Sequence, residues 1–169
     1  KTMHRPLRLS PTVLADGSSA WQSDGAPSDC VALAMMGALE QDFDLLVSGI
    51  NPNANIGLDV TYSGTVTAAM EASIWGKPGI AVSLDAPENH HGRLDFRSAA
   101  ETAAQLTWQL AERANGTHPA PIYNINIPYR PEGDYAGVMI TRQGVRIYRD
   151  VLEKRIDPRG KPYYWIAGD

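Results

Sequence analysis

Two short apolar runs, Phe43 to Val47 and Gly79 to Leu84, do most to limit how this chain can fold. Both are brief and have no polar alternation, which suits strands buried on both faces of a sheet. Between them Ser63 to Ile74 reads as a helix, closed by Gly76 and followed by Pro78. After the second run a polar loop, Asp85 to Leu94, leads into the longest expected helix, Phe96 to Ala114, alanine-rich and flanked by Leu106, Trp108 and Leu110. Ile122 to Ile127 and Val138 to Ile140 read as further strands. Strands alternating with helices predict an α/β fold with a largely parallel sheet.

The flanks differ from this centre. Residues 5 to 14 read as a strand, with a turn at Asp16-Gly17-Ser18-Ser19 and a short strand around Trp21. Asp24-Gly25-Ala26-Pro27 is turn chemistry, and Ser28 is placed to cap a helix beginning beside Pro27. Val31, Ala34, Met35 and Ala38 share a face of that helix, and Cys30 reads as a small core residue, as Met36 and Met70 do. Val145 to Ile166 alternates charge with Tyr and Ile, the pattern of a protruding hairpin. Its Tyr148, Tyr163, Tyr164 and Trp165 make a better protein interface than a base-stacking platform.

Composition removes several function classes. A chain of 169 residues is about one domain. With 43% hydrophobic and 20% charged residues it can build a core. Its net charge of −4 argues against a nucleic-acid polymer as partner. No apolar run approaches the roughly 20 residues of a membrane span, so no membrane partner is expected. The single cysteine excludes an internal disulfide framework and a CxxC zinc site, and a cytoplasmic setting is the default. Lysine as first residue, inside a strand-like stretch, reads as the middle of a longer protein.

The chemistry is concentrated between Asp44 and Val66, where a loop leaves the carboxyl end of an expected strand. Ligands of open α/β sheets bind at that edge. The asparagines Asn51, Asn53 and Asn55 supply amide oxygens, hard donors that suit Mg²⁺, Mn²⁺ or Ca²⁺. Ser63-Gly64-Thr65 then begins a helix, whose free N–H groups and dipole favour an anion such as phosphate. The same residues taken alone are also ordinary capping and turn chemistry. Asp29 reads as a first-turn helix acid, Asp59 as a loop-ordering group, and His90-His91 as part of a solvated loop. No GxSxG elbow is present, so a serine hydrolase is not expected.

The motifs Ser48-Gly49-Ile50-Asn51, Asn55-Ile56-Gly57 and Asp59-Val60-Thr61-Tyr62-Ser63-Gly64-Thr65-Val66 resemble those of the SurE survival-protein family, metal-dependent 5′/3′-nucleotidases. Asp24 to Cys30, Ala68 to Glu71, Ile80 to Leu84, Asn124 to Pro128 and Asp157-Pro158-Arg159-Gly160 through Ile166 extend the resemblance over nearly the whole chain. Asn53 stands where the family usually has glycine, and Pro52 where a polar or basic residue is common.

The resemblance implies a three-layer, Rossmann-like sheet with a β-hairpin extension. It divides the chain into an α/β core over 1–142 and an oligomerisation extension over 143–169. It also implies a divalent cation, Mg²⁺ or Mn²⁺, held by an acidic pair, a serine and the asparagine of the Ser-Gly-Ile-Asn motif. Only the last is here, as Asn51; the others would precede Lys1, and without them the chain is expected to be inactive. Asn55, Ser63, Gly64 and Thr65 match the implied phosphate grip, while the catalytic residues stay unassigned. The expected activity is hydrolysis of nucleoside monophosphates, with short polyphosphate as a further substrate, in a homodimer or homotetramer. A non-catalytic phosphate- or nucleotide-binding module and an oligomeric scaffold are the alternatives.

Overall fold

The computed structural model describes residues 1–87, 89–145 and 150–168. At its centre is the strand β4 (Gly79–Asp85; β1 to β3 are defined below), in which Ile80, Ala81, Val82, Ser83 and Leu84 are essentially inaccessible to solvent. Burying each large aliphatic side chain contributes roughly 1.5–3 kcal/mol, which makes this strand the anchor of the core. It is flanked in parallel by β3 (Leu46–Asn51) and β5 (Ile122–Pro128), giving a sheet of order β3-β4-β5.

The helices α2 (Gly64–Ile74) and α3 (Arg97–Ala114) cover opposite faces of this sheet. Val66 and Ala69 of α2 pack on Ala81, whereas Ala99 and Ala103 of α3 pack on Ile80, Val82 and Leu84. Alternate residues of a strand point to opposite faces, so three layers result. Both crossovers step across the sheet in one direction, yet their helices lie on different faces. The two therefore have opposite hands, and one departs from the usual right-handed rule.

The α/β architecture is the expected one, with local differences. The first strand, β1 (Leu9–Val13), is shorter than residues 5 to 14 and pairs antiparallel with β2 (Ser19–Ser23). The next helix, α1 (Pro27–Leu33), is capped by Ala26, not Ser28, because Asp29 reaches back to the Ala26 N–H at 2.9 Å. It runs into a wider π-type turn, Ala34–Ala38, broken at Gly37 with φ of 90°.

The α1 face that meets Ala68 and Ala72 of α2 is carried by Val31 and Met35. Cys30 falls off that face and is exposed, as are Met36 and Met70. The expected strand over Phe43 to Val47 lies further on, at Leu46–Asn51. It is an edge strand in which Val47 is 47% exposed, not a strand buried on both faces. Val138 to Ile140 forms no strand and is exposed. The expected hairpin is present as β6 (Asp150–Ile156) and β7 (Pro162–Gly168), antiparallel and in continuous register. Tyr148 lies outside the described residues. Among those described, no helix is long and apolar enough to cross a membrane.

Candidate functional site

Asn51 ends β3 at the carboxyl edge of the sheet, in register with Ser83 of β4. The ladder slips between Ser48 and Asn51, so the strand continues through a sequence that looks like loop. Gly49 makes this possible. Its φ is +132°, and a Cβ there would sit 2.3 Å from the Val82 carbonyl oxygen, so no side chain fits. The Asn51 amide turns onto its own loop, donating from Nδ2 to the Asn53 carbonyl at 2.5 Å.

Asn55 is the knot of the loop. It is 5% exposed, and its Nδ2 donates to Ser83 Oγ at 2.6 Å. Its N–H donates to Asn126 Oδ1 at 2.8 Å, and its carbonyl accepts from Asn124 Nδ2 at 2.8 Å and Asn126 Nδ2 at 3.1 Å. Ser83, Asn124 and Asn126 all come from the α2 face of the sheet, since Asn124 and Asn126 stand opposite Ala81 and Ser83. The polar side chains that would be costly on a buried sheet face are thereby satisfied by one loop.

A single 3₁₀ turn, Gly57–Thr61, carries the chain to α2. The Asp59 carbonyl accepts from the Tyr62 N–H at 3.0 Å, in keeping with a loop-ordering position. Ser63 caps α2, its Oγ accepting from the Val66 N–H at 3.2 Å. The N–H groups of Gly64 and Thr65 and the Thr65 hydroxyl find no partner among the described residues. Gly64 also has a structural reason to be small: a Cβ there would lie 3.1 Å from Cγ of Pro27. The start of α1 thus abuts the start of α2.

Asp29 fixes that contact. It is 2% exposed and accepts from the Thr2 Oγ1 at 2.6 Å and the Thr2 N–H at 2.8 Å, besides Ala26. These bonds, the Thr2 hydroxyl first, lower its pKa from 3.8 to about 2. It is a structural first-turn acid. The loop that carries His90 and His91 is largely exposed, His91 included, as expected; the His90 ring is part-buried, packing edge-on against Tyr129 at 4.9 Å, and its Nε2 is buried without a partner among the described residues.

With this geometry in place, the likenesses to known proteins are informative. The profile of the family described as Survival protein SurE matches residues 1–150. This chain belongs to the SurE family. It is 48% identical over 163 residues to the 5′-nucleotidase SurE of Chloroflexus aggregans, covering 96% of this chain and 63% of the relative. Against the 5′-nucleotidase SurE of Thermosynechococcus vestitus it is 49% identical over 150 residues, covering 89% and 54%. The crystal structure of the SurE protein from Aquifex aeolicus superimposes with a TM-score of 0.73 at 37% identity, covering 99% of this chain and 64% of that one. The chain thus spans less than two thirds of the length of these relatives.

The described residues of this SurE chain do not by themselves fit a divalent cation. No three His, Cys, Asp or Glu side chains come together among them. A hard cation needs several oxygens, usually with carboxylate charge, and Asn51 offers one neutral amide. The residues that sequence reasoning missed are Ser83, Asn124 and Asn126. Their signal was available, because Asn124 and Asn126 alternate with Ile125 and Ile127, placing two amides on one strand face.

Proposed function

We propose that this chain is the phosphate- and nucleotide-binding part of a metal-dependent phosphatase acting on nucleoside monophosphates at the 5′ or 3′ position, with short polyphosphate as a further substrate. The observation that carries this reading is the start of α2, where the Gly64 and Thr65 N–H groups and the Thr65 hydroxyl have no partner among the described residues. Donors held so by a helix N-terminus match the charge on phosphoryl oxygens and need no reorganisation as that charge spreads. The names of the relatives support the substrate class.

In this reading Ser63 fixes the helix start, and Gly64 and Thr65 hold the phosphoryl oxygens. Asn55 keeps the loop seated. Asn51 is the ligand this chain contributes toward Mg²⁺ or Mn²⁺, an ion that would polarise a phosphoryl oxygen when bound. Residues 1–142 form the core and 143–169 the oligomerisation extension of a cytoplasmic homodimer or homotetramer. The hairpin favours that role, since Leu152 (65% exposed), Trp165 (56%) and Ile166 (81%) are open.

The test measures hydrolysis of a nucleoside monophosphate and of p-nitrophenyl phosphate, with Mn²⁺ and with EDTA. For the assay an acidic segment of the kind the family resemblance implies is joined ahead of Lys1. Metal-dependent turnover that is lost on Asn51→Ala or Thr65→Ala supports the reading. Phosphate binding without turnover would instead favour a non-catalytic binding module, the alternative that the lack of an acidic cluster among the described residues speaks for.

A further inference from the structure

The chain reaches β1 through residues 1 to 8, which belong to no helix or strand. Carboxylates of α1, of α2 and of the turn before α1 hold this stretch down. Lys1 Nζ meets Glu71 Oε1 of α2 at 2.8 Å. Thr2 gives its N–H and its hydroxyl to Asp29 of α1, at 2.8 and 2.6 Å. Arg5 pairs with Asp24 at 3.0 Å, and the Arg8 N–H donates to the same carboxylate at 2.9 Å. Glu71 and Asp29 are only 4% and 2% exposed, so the first two residues of the stretch are fastened to interior groups. A buried carboxylate that loses a donor is costly, which keeps such bonds made.

Two adjacent residues thus grip two helices, Lys1 on α2 and Thr2 on α1. The helix contact itself resists sliding poorly. On the α2 side it is made by Ala68 and Ala72, and methyl groups form shallow ridges. How far α1 advances along α2 is then set by the strap, because a hydrogen bond keeps its length within roughly 0.5 Å. The same Asp29 oxygen that takes the Thr2 hydroxyl also accepts from the Ala26 N–H at 2.9 Å. Ala26 precedes Pro27, and Pro27 stands so close to Gly64 that a Cβ there would lie 3.1 Å from its Cγ. A chain of direct contacts therefore runs from Thr2 through Asp29 and Ala26-Pro27 to the first residue of α2.

We propose that Lys1-Thr2 is a positioning strap for the phosphate site: by holding Asp29 on α1 and Glu71 on α2 it sets Pro27 against Gly64, and with it the aim of the Gly64 and Thr65 N–H groups. Thr2 acts through Asp29 and touches no ligand itself. The ligand is taken from the phosphatase reading, so one arm of the test needs no phosphate. Thr2→Val keeps the shape and the N–H but loses the hydroxyl, and Thr2→Ser keeps a hydroxyl. Backbone amide NMR follows Gly64 and Thr65 without ligand, calorimetry measures inorganic phosphate binding, and urea denaturation measures stability. Thr2→Val is expected to move both amide resonances and to raise the phosphate dissociation constant about threefold, while Thr2→Ser stays close to the parent chain in both. A strap that only holds the fold together would lower the urea midpoint of Thr2→Val and change nothing else. Unmoved amides, unchanged phosphate affinity against a parent that binds phosphate, or a Thr2→Ser that behaves as Thr2→Val does, each overturn the proposal. Should Thr2→Val fail to fold, Lys1→Ala, which loses the Glu71 ion pair alone, is expected to move the same two amides by less, and amides that it leaves in place overturn the proposal. A parent chain that binds no phosphate, with Gly64 and Thr65 moved by Thr2→Val and returned by Thr2→Ser, sinks the phosphate reading and leaves the strap's hold on the helix start standing.

Discussion

The two ends of the loop between β3 and α2 are built on opposite plans. At Asn55 every backbone polar group is paired, and the side chain is tied to Ser83 in the interior. At Gly64 and Thr65, nine and ten residues later, two N–H groups and a hydroxyl at a helix start find no partner among the described residues. The first arrangement spends its polar groups on rigidity, and the second keeps them for something that is not protein. Motifs adjacent in sequence therefore need not share a job. A buried asparagine with its main chain paired and its Nδ2 tied to the interior positions a site, whereas an open helix start is what touches a ligand.

Substitutions on the fixed side should act on stability, those on the open side on binding. The largest expected effect is from Gly49→Ala, which sets a Cβ against the Val82 carbonyl. A loss of about 3 kcal/mol is expected in urea denaturation, from backbone strain and overpacking together. Asn55→Ala strands the Ser83 hydroxyl in the interior and should cost about 2 kcal/mol by the same measurement. A result below about 0.5 kcal/mol would remove the distinction between the two ends.

Acid is a gentler probe of the open side, because Asp29 holds Pro27 behind Gly64. Its folded-state pKa, about 2, lies below the unfolded value near ~3.9. Its contribution to stability is then complete above roughly pH 5, and is lost as pH falls through 4 toward 2. Asp29→Asn should flatten that part of a stability-versus-pH curve. Ser63→Ala removes the α2 cap and should cost about 1 kcal/mol. Thr65→Ala should change stability by less than about 0.5 kcal/mol, yet raise the dissociation constant for inorganic phosphate about tenfold. Calorimetric titration would check this. Equal phosphate affinity in Thr65→Ala and the parent chain would show that the open donors serve no anion.

Legibility in the sequence followed the range of the interactions. The helix α2 was read to within one residue, because its signals, Ser63 at the start and Gly76 at the end, are local. The central strand β4 was plain because burial on both faces leaves no room for polar residues at 80 to 82. The strand β3 was set three residues early, since Ser48-Gly49-Ile50-Asn51 has loop composition, and only the neighbouring Val82 carbonyl explains the glycine. The Ser28 cap failed for a similar reason, as Asp29 does that work from the next position. The role of Asn55 was the least accessible. Its partners stand 28, 69 and 71 positions away, and nothing in a short motif reveals them.

Asn55 is clasped by two adjacent strands at once, through its amide on β4 and through its main chain on β5. Neighbouring strands keep a separation of about 4.8 Å that ladder bonding barely lets vary. That interval serves as a gauge block for the bend above it. Heating or distant sequence drift that leaves the ladder intact should leave the seat of the bend in the same place, so any play in the region is confined to the stretches on either side of that residue.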